Sequence, residues 1–213
     1  MKSEASSGSR QRTRRAILEA LADIITETNG IGFSVQAVAN RAGVTHRTIY
    51  NYFPTREALC EAFSEYVDEL LASTARLTEP PAISIASLPA LVVDLYRTLE
   101  LRERYVRASV MLMLGNRRPM KAWRGRTHAF EKVIARGTGS RAPRQVAAAV
   151  RMFVSSVGWH VLTEQIGLST DEAAATSAWA TRTLLEAATG RRAATPSSRP
   201  SQRGAYATRP RRG

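Results

Sequence analysis

The sequence predicts an all-α protein of about nine helices, and three observations support this fold class. Apolar residues recur at spacings of three and four along most of the chain, which gives each segment one apolar face. Gly, Pro and hydroxyl-bearing cap residues separate these segments at clear boundaries. No sustained alternation of apolar and polar residues indicates a strand, and no Asn-Gly or Asp-Gly hairpin signal occurs.

The first four predicted helices follow one another closely in the N-terminal third. Helix one spans about Thr13 to Thr28, and the next three begin after the cap residues Ser34, Thr45 and Thr55. Gly43 suits a left-handed end for the second helix, and Pro54 stops the third.

Five longer helices follow a Pro- and Ser-containing linker between Thr78 and Ser87. They span about Leu88–Leu101, Arg104–Leu114, Pro119–Arg136, Pro143–Gln165 and Thr170–Thr189. The last begins with the capping box Ser169 and Glu172 and ends at Gly190. The residues beyond it lack periodicity, which predicts disorder.

The composition excludes several classes of protein. The 213 residues are 44% hydrophobic, yet no apolar run reaches the roughly 18 residues of a membrane span. The polar first 15 residues do not resemble a secretory signal. The single cysteine, Cys60, fits a reducing cytoplasm, and its apolar setting indicates a small buried side chain, with a redox sensor as the alternative. His128 and His160 lack ligand spacing, so no metal or other cofactor is expected.

The net charge of +13 is concentrated at the two ends of the chain. Residues 1–15 carry five Lys or Arg against Glu4, and residues 190–213 carry seven arginines and no acid, so the body between them is nearly neutral. Basic tails often bind nucleic acid, although such a tail is weak evidence by itself.

Residues 34–53, SVQAVANRAGVTHRTIYNYF, meet the requirements of a helix-turn-helix. Ala39 is small enough for a helix crossing, Gly43 tolerates a positive φ, Val44 plugs the corner, and Ile49 and Phe53 anchor the second helix. Its outer face then carries Thr45, His46, Arg47, Thr48, Tyr50, Asn51 and Tyr52, which can hydrogen-bond to bases or phosphates. From spacing alone, a small helical bundle with a glycine turn is the alternative.

The longer stretch GFSVQAVANRAGVTHRTIYNYFPTREALCEAF resembles the DNA-binding domain of the TetR/AcrR family of one-component bacterial regulators. The resemblance covers Thr13 to about Leu71 and includes the turn Ala42-Gly43-Val44, the block Tyr50–Phe53 and the opening of the fourth helix at Thr55–Leu59. The family often has His where this sequence has Tyr52 and Lys where it has Arg56. It implies a ligand-responsive repressor, not an enzyme, that binds a pseudo-palindromic operator in double-stranded DNA as a dimer.

The resemblance divides the chain into four parts. These are a basic arm at 1–12, a helix-turn-helix DNA-binding domain at 13–72, a helical effector-binding and dimerisation domain at 78–190, and a disordered basic tail at 191–213. An architectural protein that coats DNA through its basic tails is the alternative function. No nucleophile elbow, P-loop, dinucleotide fingerprint or paired-carboxylate site favours an enzyme.

Roles for the DNA-binding candidates follow from their chemistry. Thr45 and Thr55 stand at helix N-termini, where phosphate binds well, and Ser34 caps the helix before them. Tyr50, Tyr52 and Arg56 are expected to clamp the backbone; His46, Arg47, Thr48 and Asn51 are expected to face base edges. Arg47 suits guanine O6 and N7, while a solvated helix surface is the alternative for Asn51. The arm from Arg10 to Arg15 is placed for the minor groove or flanking phosphates.

The C-terminal two-thirds gives weaker signals. The sparsely charged helix Pro143–Gln165 and the alanine-rich helix Thr170–Thr189 are expected to form the homodimer interface, with burial inside one chain as the alternative. An unknown small-molecule effector is expected among the middle helices, lined by candidates that are otherwise simple core: Tyr96, Met111, Met113, Trp123, Phe130, Phe153 and Trp159. The basic run Arg102 to Arg126 favours a solvated face over a site for an anionic effector such as an acyl-CoA.

Overall fold

The structure is a computed structural model that describes residues 2–30, 32–74, 83–115, 121–138 and 144–190, without the side chains of residues 2–7, 74, 121–123 and 126. Within these ranges the chain forms ten α-helices and one π-helical turn, and no strand, which confirms the all-α prediction. Half of the predicted linker, residues 78–82, and the whole tail at 191–213 lie outside the described residues.

The helices are α1 Lys2–Glu27, α2 Val35–Arg41, α3 His46–Tyr52, α4 Arg56–Thr74, α5 Leu88–Glu100, α6 Glu103–Gly115, α7 Lys121–Thr138, α8 Arg144–Phe153, α9 Ser156–His160 and α10 Thr170–Thr189; the π-turn Val161–Gln165 follows α9. The predicted caps are present at the start of α2, α3 and α4. The hydroxyls of Ser34, Thr45 and Thr55 each accept a hydrogen bond from the backbone N–H three residues later, at 3.0 to 3.1 Å. The capping box at Ser169 and the left-handed Gly190 bound α10 as predicted.

The first helix begins eleven residues earlier than predicted, at Lys2 rather than about Thr13. The basic arm is therefore the first part of a continuous helix about 39 Å long. Arg10 and Arg14 continue the helical face of Ile17 and Leu21. Their guanidinium groups lie over the aromatic rings of Tyr52 and Phe53, at the end of α3. These contacts give the polar start of the helix a surface to pack on, which its own sequence does not reveal.

The prediction of one unbroken helix from Pro143 to Gln165 is wrong. The chain breaks at Val154 and Ser155, and the axes on the two sides of the break differ by 52°. Ser155 adopts an extended conformation (φ −156°, ψ 159°), and its hydroxyl accepts from Gly158 N at 3.1 Å and donates to Met152 O at 2.8 Å. Ser155 thus ends one helix and caps the next.

Two long side chains satisfy the other carbonyls at this break. Tyr96 donates from its hydroxyl to Phe153 O at 2.8 Å, and Arg151 donates from Nη1 to Val154 O at 2.7 Å. The Tyr96 hydroxyl also shares a hydrogen bond of 2.9 Å with Ser177 on α10. Because buried carbonyls require partners, this network makes the break a stable feature of the fold.

Two apolar cores organise the described residues. The N-terminal core joins α1 to α4 and takes in Ala108 and Leu112 of α6. The C-terminal core is built mainly from α5, α8 and α10, with α5 packing most extensively against α10. Since Val106 of α6 lies in this second core, α6 belongs to both and links the two halves mechanically.

Two further properties bear on the class of protein. Cys60 lies in the N-terminal core, where burial raises the pKa of its thiol to about 11, as expected for a small buried side chain. Across the described ranges no single helix is long and apolar enough to cross a membrane. Only α8 taken together with α9 and the π-turn reaches that length and composition, across the 52° bend.

Candidate nucleic-acid interface

The helix-turn-helix is formed by α2, the turn at Gly43, and α3. Gly43 has a φ of +66°, and Val44 N donates to Ala39 O at 3.0 Å, which closes the turn. Ala39, Ile49 and Phe53 are buried in the N-terminal core, and Val44 packs half-buried against it. Four of the five residues predicted to hold the motif together therefore lie on its inner side, and the fifth, Gly43, is exposed at the turn.

The outer face of α3 carries the polar residues predicted to meet DNA. Thr45, His46, Arg47, Tyr50 and Asn51 are exposed. Thr48 and Tyr52 are half-buried at the edges of this face. The rings of His46 and Tyr50 meet edge to face at 4.9 Å between centroids. A continuous surface of donors and acceptors thus stands on a buried apolar anchor.

The hydroxyls predicted to contact phosphate already serve as helix caps. The Thr45 hydroxyl also lies 2.8 Å from that of Thr48. A hydroxyl that accepts from a backbone N–H can still donate its own proton. The capping role is therefore compatible with the phosphate contacts predicted for Thr45 and Thr55, which remain predictions.

Three guanidinium groups surround the ends of α3. Arg10 lies over the Tyr52 ring at 5.9 Å, Arg14 over the Phe53 ring at 5.8 Å, and Arg56 over the Phe33 ring at 4.3 Å, measured to the ring centroids. They give the rim of the recognition face a positive charge. The sequence indicated these charges, but the place of Arg10 and Arg14 beside α3 depends on the unexpected length of α1.

Ion pairs connect α1 and α2 to α6. Arg41 on α2 makes two hydrogen bonds of 2.8 Å to the carboxylate of Glu27, which lowers the pKa of Glu27. Asp23, on α1 like Glu27, lies 3.9 Å from Arg41 and also pairs with Arg104 of α6. These exposed pairs contribute little stability, but they couple the position of α2 to that of α6. Sequence reasoning missed them, because each joins residues far apart in the chain.

A cavity of about 230 Å³ lies among α4 to α9. Its lining is mainly aliphatic, with a few polar groups: Val67, Asp68, Leu71, Ile83, Leu88, Leu91, Leu95, Leu99, Val106, Ser109, Phe130, Arg151, Val154, Ser155 and Ser156. It touches both α4 and α6, the two helices that also pack into the N-terminal core.

Only Phe130 of the described pocket candidates lines this cavity. Tyr96 and Trp159 fill the C-terminal core, and Met111 and Met113 pack against the N-terminal core. Phe153 contributes a carbonyl to the helix break rather than a side chain to the lining. The side chain of Trp123 lies outside the described residues. The sequence prediction favoured large side chains, but most of them fill the two cores. The cavity is lined instead by the leucines of α5.

The basic run in α6 and α7 does not reach the cavity within the described residues. Arg104 pairs with Asp23, and Arg107 pairs with Glu103 and Glu164. Arg117, Arg118 and the side chain of Arg126 lie outside the described residues. The described part of the run is thus at least partly neutralised by acids. No cluster of three or more His, Cys, Asp or Glu in the described ranges is arranged to hold a metal ion.

Of the two predicted interface helices, α10 buries four of its seven alanines inside one chain. Ala173, Ala174, Ala178 and Ala180 are buried, whereas Ala175 is exposed. Large apolar side chains are exposed on α8, the π-turn, the residue after it, and α10: Met152, Val161, Ile166 and Trp179. Trp179 is 65% exposed, which is unusual for the largest apolar side chain.

Comparison with known proteins agrees with the geometry of the N-terminal domain. Residues 17–63 match the family model described as bacterial regulatory proteins, tetR family. The matched stretch runs from the buried part of α1 through α2 and α3 to Phe63 of α4. No curated protein and no solved structure matches the chain.

Proposed function

We propose that the chain, whose residues 17–63 match the tetR family model, is a DNA-binding transcriptional regulator that acts as a ligand-responsive repressor. In this proposal a homodimer presents two α3 helices about 34 Å apart to a pseudo-palindromic operator. The observation that carries the proposal is the polar outer face of α3 on its buried anchor of Ile49 and Phe53.

Base recognition is proposed for the exposed side chains at the start and middle of α3. Arg47 projects from an exposed position in the first turn and has the geometry to donate two hydrogen bonds to one guanine. Tyr50, Tyr52 and Arg56 stand at the edges, where contacts to the sugar-phosphate backbone fix the register. His46, Thr48 and Asn51 complete the base-facing set.

Replacing Arg47 with Ala is expected to relax sequence specificity at one position in each half-site. Loss of a bidentate contact to guanine costs about 1–3 kcal/mol of discrimination. The measurement is selection of bound duplexes from a random pool with the wild-type chain and with Arg47→Ala. Arg124→Ala, which removes an exposed arginine from α7, is the charge-matched control and should select the wild-type motif.

The same selection tests the architectural alternative. A pseudo-palindrome that loses information only with Arg47→Ala supports the regulator. If no motif emerges and affinity depends only on salt, the helix-turn-helix is not reading sequence, and coating of DNA through the basic tails becomes the better explanation.

The helical arm of α1 is proposed to contact phosphates that flank the half-site. An α-helix about 10 Å or more across does not enter a minor groove about 6 Å wide, so the minor-groove option of the sequence analysis loses support. Arg10 lies beside Tyr52, which is itself a proposed phosphate clamp, and Arg12 is exposed two residues later. These positions support contacts of Arg10 and Arg12 with the DNA backbone beyond α3.

Replacing Arg10 and Arg12 together with Ala is expected to weaken binding to all sequences alike. The logarithmic salt dependence should become shallower by about one to two charges per subunit, with an unchanged selected motif. Fluorescence anisotropy over a salt series measures this slope. The control pair Arg124→Ala with Arg144→Ala removes the same charge from α7 and α8 and should leave the slope unchanged; an equal effect of both pairs would contradict a local contact.

Dimerisation is proposed to use the exposed apolar side chains of α8, the π-turn and α10. These elements pack side by side in one chain. A self-complementary patch on such elements can meet its copy across a two-fold axis. The exposed Trp179 would then be the central anchor, since tryptophan is the residue most enriched among interface hot spots.

Ligand response is proposed to run from the cavity to the recognition helix through α4 and α6. The second half of α4 lines the cavity with Val67, Asp68 and Leu71, while Leu59 and Phe63 of its first half lie in the N-terminal core. A ligand that prefers one position of α4 changes the spacing of the two α3 helices. Coupling energies of about 1–3 kcal/mol are typical for such effects.

A further inference from the structure

The break between α8 and α9 supplies a polar wall to the cavity. Arg151, Ser155 and Ser156 line it there together with Val154. Another wall is one face of α5, whose leucines recur at spacings of three and four: Leu88, Leu91, Leu95 and Leu99. The cavity is therefore amphipathic, with hydrogen-bonding groups at the break and aliphatic surface along α5.

The charges that line the cavity are balanced. Asp68 from α4 contributes one carboxylate and Arg151 from α8 one guanidinium, and the remaining polar lining residues are serines. A charged ligand would lose its hydration on entry. Its attraction to one of the two groups would be offset by repulsion from the other, so little would compensate that loss. An uncharged ligand avoids this cost.

We infer that the effector is a small, uncharged, largely apolar molecule with one hydrogen-bonding group, an inference that rests on the proposed ligand response. Its apolar body packs on the leucine face of α5, and its polar group lies at the break, where the Ser156 hydroxyl and the Arg151 guanidinium are the donors of the lining. The volume of about 230 Å³ lies below the roughly 300–1,000 Å³ of sites for drug-sized ligands. A single ring with a short chain matches that size.

Three probes that share a body and differ in the charge of the head group test this inference. They are benzylacetone, phenylbutanoate and phenylbutylammonium, titrated into the full chain by calorimetry. Benzylacetone is expected to bind at least about tenfold more tightly than either charged probe.

Two variants of the cavity should shift this preference in opposite directions. Asp68→Asn removes the one carboxylate of the cavity lining and keeps its guanidinium, so phenylbutanoate should gain at least about fivefold relative to benzylacetone. Arg151→Gln removes the one guanidinium of the lining and keeps its carboxylate, and it should favour phenylbutylammonium in the same way. A merely structural effect would not reverse sign between the two. If Arg151→Gln unfolds because Val154 O loses its donor, Asp68→Asn carries the test.

The inference is overturned if wild-type protein binds either charged probe as tightly as the ketone, if it does not bind the ketone, or if Asp68→Asn leaves the preference unchanged. Anisotropy with the selected operator separates this result from the proposed function. Operator binding without ketone binding removes the ligand class alone. Ketone binding that leaves operator affinity unchanged removes the proposed ligand response and keeps the ligand class.

Discussion

Replacing Trp179 with Arg is expected to convert the proposed dimer into monomers and to abolish tight operator binding. The side chain is 65% exposed in one chain, and an isologous interface would bury it twice. Truncating a hot-spot residue costs about 2 kcal/mol or more. Two copies, each with an added charge, should therefore raise the dimer dissociation constant about a thousandfold or more. Sedimentation velocity at micromolar protein measures the change.

Leu101→Arg is the matched control for this substitution. Leu101 is 70% exposed at the turn between α5 and α6 and does not belong to the proposed patch of Met152, Val161, Ile166 and Trp179. This variant should remain dimeric and bind the operator normally. If Trp179→Arg sediments like the wild-type dimer, the interface lies on another surface, and the proposal for α10 fails while the recognition helix is unaffected.

Replacing Gly158 with Ala is expected to destabilise the fold by more than about 3 kcal/mol. A Cβ atom at this position would lie 2.2 Å from Met152 O and 3.0 Å from the Tyr96 hydroxyl. The first contact is with backbone, which has no rotamer to move away. The break must therefore open, and the hydrogen bonds of Ser155 and Tyr96 weaken with it. Urea unfolding measures the loss as a lower midpoint.

Gly125→Ala provides a control with the opposite sign. Gly125 lies at an exposed position inside α7, and a Cβ there would meet no atom within 4 Å. Alanine in such a helix interior stabilises by about 0.5–1 kcal/mol relative to glycine. A Gly158→Ala variant that behaved like Gly125→Ala would show that α8 and α9 do not approach each other closely.

The helix-turn-helix was predictable because its determinants are local. Ser34, Thr45 and Thr55 each cap a helix whose first turn begins at the next residue, and Gly43 needs only its own φ to make the turn. The break at Ser155 was not predictable in this way. Its partner Tyr96 lies 57 residues from Phe153, and the clash that forbids a larger residue at Gly158 exists only in the folded chain.

The residues that line the cavity were also only partly predictable from the sequence. The leucines of α5 form a regular apolar face that the sequence reveals, but whether such a face meets a neighbour or an open space depends on side chains from five other helices. Large aromatic residues such as Tyr96 and Trp159 filled the core instead. The extension of α1 was missed because Arg10 and Arg14 are held by rings on α3 rather than by an apolar periodicity of their own.

Because Cys60 is buried, we expect its thiol to react very slowly with thiol reagents. It is the single cysteine, and with a pKa of about 11 it holds almost no thiolate at neutral pH. A cysteine placed at the exposed Gln36 position on α2 would then be the one site that accepts a maleimide or a spin label. In a dimer, two such labels would form a single pair whose separation reports how far apart the two α2 helices, and with them the two helix-turn-helix motifs, stand with and without an effector.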